Sequence, residues 1–241
     1  MSNLNLSEIQ KLHQKKYRKL LGHFLVEGLH LVEELEKSSF NDCNLYVTEK
    51  FARIESRFPK TILSEQQFKR LSEVKSHQGI AAIVPIANLN RTKAHKKIIY
   101  INDLQDPGNL GTLIRTAAWF NQFSIILSPD TVDPLNAKVI RSSMGALFFV
   151  NVETDINIDT LMKRYERIAC LDMGGKSIQS GSFADFDCYM IGNEAKGIDS
   201  ILKKSKQFTF FSITGDPQTE SLNAAVAGSI AMFELNRRIV Q

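Results

Sequence analysis

Hydrophobic positions near the start of the chain recur at helical spacing, with Leu6, Ile9, Leu12 and Leu20 set among Lys11, Lys15, Lys16, Arg18 and Lys19. That pattern predicts a basic helix. Short apolar runs at Phe24–Val26 and Asn44–Val47 then predict strands, separated by an apolar-periodic helix from about Gly28 to Lys37. Ser64 followed three residues later by Gln67 has the form of a capping box opening a helix through Leu71, and Gly79–Val84 predicts a further strand. These elements make a small α/β domain over residues 1–85. From Ile86 to Lys97 the sequence is polar and basic without a hydrophobic period, which predicts a linker.

Residues 98–241 alternate between strand and helix patterns. Strands are predicted at Ile98–Ile101, Phe123–Leu127, Leu147–Val150, Ile168–Leu171, Tyr189–Ile191 and Phe208–Ile213. Helices are predicted at Leu110–Phe120, Leu135–Ser142, Leu161–Arg167 and Leu222–Arg237. Such alternation predicts a mostly parallel sheet with helices on both faces, and ligands of such sheets gather at the carboxyl ends of the strands.

Composition narrows the function classes. With 43% hydrophobic and 23% charged residues the chain is globular in composition. No run of eighteen apolar residues predicts a membrane span, and Met1 to Gln10 lacks the order of a secretion signal, so a cytoplasmic location is expected. Cys43, Cys170 and Cys188 are far apart and in no CxxC spacing, and no HxxxH pair exists, so the sequence predicts neither disulfides nor a metal site. The net charge of +4 is uneven. Residues 1–97 carry seventeen Lys and Arg against ten Asp and Glu, and residues 98–241 carry thirteen against sixteen. A basic front suits a phosphate-rich partner, although a solvated surface accounts for the same excess.

Three segments of the back half carry candidate chemistry. In Asn102 to Ala117 a strand runs through a Pro-Gly turn into a helix that Asn109 is placed to cap, with Arg115 about a turn and a half further on. Arg115 reads either as a surface arginine or as a guanidinium reaching back toward the strand ends. In Lys138 to Leu147 the small residues Ser143, Gly145 and Ala146 permit close backbone approach, as a helix C-cap also would. The third segment joins Gly192, Asn193 and Glu194 at a strand end to Ser221, Leu222 and Asn223 at the start of the last helix, where unpaired N–H groups favour acceptors. Capping alone accounts for Ser221 or Asn223, and explains Glu194 less well.

Taken together, these segments resemble the SpoU/TrmH family of RNA ribose methyltransferases in the SPOUT superfamily. The likeness rests on Asn109, Gly111 and Arg115, on Ser143, Gly145 and Ala146, on Gly192 to Glu194, and on Ser221 to Asn223. Phe24 to Glu33 and His77 to Ile80 are similar to that family's small RNA-substrate-binding domain, a ribosomal-protein-like α/β fold. Two positions depart from the family pattern: Thr214 stands where proline is usual, and Pro217 where glycine is.

The resemblance implies a trefoil-knotted C-terminal domain, a homodimer, and S-adenosylmethionine as methyl donor to a ribose 2′-hydroxyl of ribosomal or transfer RNA, ribosomal RNA being preferred, with no metal required. It implies cofactor contacts at Gly192, Ile213 and Leu222, with Leu127 and Asn193 nearby. Arg115 takes the place of the catalytic arginine, Asn109 and Glu194 orient the ribose and Arg115, and Ser221 and Asn223 hold polar groups. Lys15, Lys16, Arg18 and Lys19 are expected to contact RNA phosphate.

Rival readings fare worse on spacing. Gly174 to Ser177 suggests a phosphate loop, but the glycine required five positions before Gly175 is Cys170. Gly108 to Gly111 lacks the leading glycine pair of a dinucleotide fingerprint. A catalytically inactive RNA-binding or ribosome-assembly protein of the same fold is the remaining alternative.

Overall fold

The computed structural model describes residues 4–74, 76–193, 197–198, 202–216, 218 and 221–239. They form two compact units, one of Met1–Thr92 with Asp133–Phe149, the other of Lys93–Val132 with Val150–Gln241.

The first unit is built on a four-stranded sheet in the order β1 (His23–Glu27), β4 (Ile80–Pro85), β2 (Asn44–Val47), β3 (Lys60–Ile62). Strand β4 pairs antiparallel with β1 and with β2, while β2 and β3 run parallel. Because β4 is central, its Ile80, Ala81, Ala82, Ile83 and Val84 are all buried, which is why it reads as an unbroken apolar run. Helices α1 (Leu6–Lys11) and α4 (Glu65–Leu71) share a core in which Ile9, Leu12, Phe68 and Leu71 meet Leu25, Ala81 and Ile83. Ser64 and Gln67 form the expected capping box.

Several expectations change in this unit. The basic N-terminal segment is two helices, α1 and α2 (Lys15–Leu21), broken at Leu12–Gln14. Arg18, expected on RNA, is 5% exposed: its Nη1 donates to the carbonyls of Leu12 and His13 at 2.8 Å, and its Nη2 meets Asp133 Oδ2 at 2.6 Å. Its charge is consumed closing the helix break. Part of the predicted linker folds, since Ile86–Arg91 is a 3-10 helix in which buried Asn88 donates to the Asn41 carbonyl at 2.7 Å.

The segment 133–149 folds with the first unit although its sequence lies between two strands of the second. Helix α6 (Ala137–Ser142) ends at Ser143, and Gly145 adopts φ 81°. A Cβ there would lie 2.7 Å from Cβ of Glu34 on α3 (Leu29–Lys37), so only glycine permits this approach. The strand expected at Leu147–Val150 is instead a 3-10 turn over Ala146–Phe148 that seats Phe148 edge-on against Phe40, with ring centroids 5.6 Å apart.

The second unit carries an all-parallel sheet in the order β10 (Phe208–Ser212), β8 (Ile168–Ser177), β9 (Cys188–Ile191), β5 (Lys97–Ile101), β6 (Phe123–Leu127), β7 (Val152–Glu153). One face packs Tyr100, Ile126, Cys170 and Met190 under Leu161 of α7 (Ile158–Arg164). On the other face α8 (Ala224–Ile239) packs against α5 (Pro107–Phe120), where Gly228 is the close point: a Cβ would come within 2.5 Å of Leu113 and Ile191 side chains. Strand β8 loops out residues 171–175 between its pairings of Cys170 and Lys176 with β10. Gly175 there would drive a Cβ to 2.3 Å from the Phe210–Phe211 main chain, a packing reason for the glycines that resembled a phosphate loop. Among the described residues no helix is long and apolar enough to cross a membrane.

The Arg18–Asp133 pair is nearly dry, with side chains 6% and 15% exposed. Asp133→Ala strands the guanidinium and is expected to destabilise the protein by about 3 kcal/mol, whereas Asp133→Asn, which keeps a side-chain acceptor for Nη2, should lose less. Thermal unfolding of the two variants beside wild type checks this.

Candidate active site

The second unit gathers its polar residues where its strands end. Beyond β5, Asn102 donates its N–H to the Ile191 carbonyl at 2.9 Å, and beyond β6, Ser128 donates to the Ile101 carbonyl at 3.0 Å. Three adjacent strand ends, β9, β5 and β6, are thereby stitched side by side. Gly192 and Asn193 continue from β9, and Asn193 forms a tight bridge with Gly197 through N–H to O bonds of 3.2 and 2.9 Å in the two directions. A side chain on Gly192 would lie 2.7 Å from the Gly197 carbonyl oxygen, so this loop closes only over a bare Cα.

Helix α5 starts three residues earlier than its apolar pattern predicts. Asp106 is the N-cap, its carboxylate accepting the Asn109 N–H at 2.8 Å, and Pro107 holds the first helical position. Asn109 is therefore inside the first turn and is not the cap. The Asp-Pro pair at 106–107 was the available signal. With the cap supplied by Asp106, the Asn109 side chain serves another contact: its Oδ1 accepts from Asn223 Nδ2 at 3.0 Å. Asn223 in turn caps α8, because its Oδ1 accepts from Ala225 N at 2.9 Å and Val226 N at 3.2 Å. Two capping bonds oblige the oxygen to face the helix and the amide nitrogen to face Asn109. Residues 114 positions apart in sequence thus meet at two helix N-termini, where partial positive charge favours anions and acceptor atoms.

Arg115 is exposed on α5. Helical Cα–Cβ bonds tilt toward the N-terminus, and in that direction Arg115 is preceded on its face by Gly111 and Gly108 and by the short side chain of Thr112. Leu127 is packed in the core at the end of β6, and its carbonyl accepts from the Ile156 N–H at 3.1 Å. Ile213 follows β10 half-buried, Thr214 and Ser221 are exposed, and Leu222 is an apolar side chain 48% exposed. Glu194 and Pro217 lie outside the described residues.

In the first unit Lys15, Lys16 and Lys19 are exposed on α2, so three of the four expected phosphate contacts face outward. Tyr17 joins them: Lys11 and Lys16 hold their ammonium groups 5.6 and 5.9 Å from its ring centroid. No sequence period singled out Tyr17, though an aromatic among lysines is a familiar composition for nucleic-acid contact.

Residues 96–233 match the model of the SpoU rRNA Methylase family, and residues 3–82 match an MRM3-like substrate binding domain. The 23S rRNA (guanosine(2553)-2'-O)-methyltransferase RlmP of Bacillus subtilis is 34% identical over 97% of this chain and 96% of its own. The chain belongs to the SpoU family. Its fold is that of the SpoU and TrmH proteins: a putative RNA methyltransferase of the TrmH family from Porphyromonas gingivalis superposes with TM-score 0.83 at 26% identity, covering 99% of both chains. The SpoU methyltransferase AviRb from Streptomyces viridochromogenes, solved with AdoMet, gives 0.84 at 20% identity, again over 99% of both. The Asn109–Asn223 bond joins the first and the last of the segments whose spacing resembles that family, both within the matched stretch.

Gly192→Ala is expected to force the Asn193–Gly197 bridge apart. Amide hydrogen exchange at Gly197, whose N–H is donated to Asn193, should accelerate about ten-fold while core amides of β5 and β9 keep their protection.

Proposed function

We propose that the protein transfers a methyl group from S-adenosylmethionine to a ribose 2′-hydroxyl of ribosomal RNA, acting in the cytoplasm as a homodimer with a trefoil-knotted catalytic unit. One observation carries this reading: Asn109 and Asn223, from opposite ends of the catalytic stretch, meet at the N-termini of α5 and α8, and α5 also presents Arg115. The family membership and the named activity of RlmP support the substrate class.

The cofactor fits these residues. The bare Cα of Gly192, the half-buried Ile213 and the exposed Leu222 offer main-chain and apolar contacts suited to an adenosine, and Thr214 in place of proline leaves main-chain contacts available. When bound, S-adenosylmethionine supplies an electrophilic methyl group. The chain's own part is to place the 2′-oxygen in line with it and exclude water. A guanidinium has donors and no acceptor, so Arg115 serves as an electrostatic group, forking onto an RNA phosphate and polarising the 2′-oxygen. Asn109, held by Asn223, helps orient the ribose and Arg115.

RNA is gripped by the first unit through Lys15, Lys16 and Lys19, with Tyr17 offering a stacking face. In this reading residues 1–85 bind substrate and residues 98–241 catalyse, a division supported by the family matches over residues 3–82 and 96–233. Membership of the SpoU family and the shared fold support the knot. The dimer is supported by an apolar surface on α5 and α8, where Trp119 is 84%, Phe233 56% and Val226 46% exposed.

Two outcomes test this. Arg115→Lys keeps the charge and loses the fork, so methylation of ribosomal RNA should fall at least about a hundred-fold while calorimetric binding of S-adenosylmethionine persists; wild-type turnover in that variant would refute the role. Trp119→Glu, placing a charge in the α5–α8 surface, should convert the dimer to monomers in sedimentation analysis.

A further inference from the structure

Immediately after β5 the chain passes through Asp103 with φ 57°, a left-handed conformation that a residue bearing a Cβ seldom adopts. Its groups are engaged on three sides. The Asp103 N–H donates to Ser128 Oγ at 2.9 Å, joining it to the turn after β6. Its carbonyl accepts from Asn193 Nδ2 at 2.7 Å, and Oδ2 takes the same amide at 3.3 Å, joining it to the loop after β9. Its Oδ1 accepts from Gln105 Nε2 at 2.7 Å, and that nitrogen also donates to the Asp130 carbonyl at 2.6 Å. Ser128 Oγ is itself held by Thr131 Oγ1 at 3.0 Å. A single aspartate therefore ties the Gly192–Asn193 loop to the Ser128–Thr131 turn across the end of β5.

We infer that Asp103 is a positioning residue for the cofactor loop: its carboxylate, bridging the Asn193 amide and Gln105 beside the carbonyl bond, fixes where Gly192 presents its main chain, and so tunes affinity for S-adenosylmethionine. This rests on the methyl-transfer reading above. The left-handed backbone is what allows it, because with φ near 57° both the carbonyl and the carboxylate of one residue turn to the same amide nitrogen. It also makes the idea separable from folding. Glycine takes this φ without strain, so Asp103→Gly preserves the turn and its carbonyl bond while deleting the carboxylate contacts.

The test uses full-length wild type, Asp103→Gly, Asp103→Asn, Asn193→Ala and the Asp103→Gly/Asn193→Ala double variant. Calorimetric affinity for S-adenosylmethionine, kcat on ribosomal RNA at saturating cofactor, and melting temperature are measured for each. Asp103→Gly should weaken cofactor affinity about ten-fold with a melting temperature within about 3 °C of wild type, and kcat should fall less than affinity does. Asp103→Asn, which tolerates the left-handed region and keeps one acceptor, should lose only about three-fold. Since Asp103 acts through Asn193, adding Asp103→Gly to Asn193→Ala should bring less than about a further two-fold loss. Unchanged affinity in Asp103→Gly, or full multiplication of the two effects, overturns the role. If wild type itself gives no binding heat, the methyl-transfer reading fails and the role falls with it; if wild type binds and Asp103→Gly binds equally, only the role fails.

Discussion

A parallel sheet covered on both faces leaves its polar residues one outlet, the loops at the strand ends, and this constraint organises the second unit. Strands β5, β6 and β9 are almost wholly apolar and buried. Their terminal carbonyls at Ile101 and Ile191 are satisfied by N–H groups of neighbouring loops, which draws those loops together. Asn102, Asp103, Ser128 and Asn193 are side by side because the strands preceding them are paired in register. The site is thus a consequence of satisfying backbone groups at one end of a dry sheet, and the helix N-termini of α5 and α8 complete it.

Small residues in this chain mark close approaches of different kinds. Gly192 lets a loop close on itself, Gly228 lets α8 settle against α5 and Ile191, and Gly175 accommodates the backbone of β10. Gly145 does something else. Its motif resembles a catalytic-domain signature, yet its φ of 81° and the approach of Glu34 make it a packing point within the first unit. Ser143 supports the same local turn, its buried hydroxyl donating to the Ile140 carbonyl at 2.9 Å. Residues 133–149 thus pack with the first unit although they lie inside the stretch matched to the SpoU family.

Arg18 illustrates how a charge pattern divides. Five basic residues crowd the N-terminal segment, and all read alike in sequence. Four stay on the surface, while the guanidinium of the fifth serves two carbonyls exposed by a helix break and one carboxylate from the far side of the chain. A planar fork with several donors suits that task better than an ammonium, so the arginine among lysines is the one turned inward.

Periodicity alone determined much here: the alternating α/β order, the capping box at Ser64, the central apolar strand β4 and the glycine-bearing strand end at Gly192 are local properties of side-chain size and polarity, and the four family motifs are legible by spacing. Boundaries were less legible where a cap decides them, as at Asp106, whose acidic side chain and following proline start α5 ahead of its first buried residue. Tertiary structure alone decided that Arg18 is buried, that residues 133–149 fold with the first unit, that Leu147 and Phe148 sit in a turn, and that Asn109 meets Asn223. Each of these depends on a partner more than a hundred residues away or on a contact between non-neighbouring elements, and local pattern carries no information about which distant group will satisfy a buried charge or an amide.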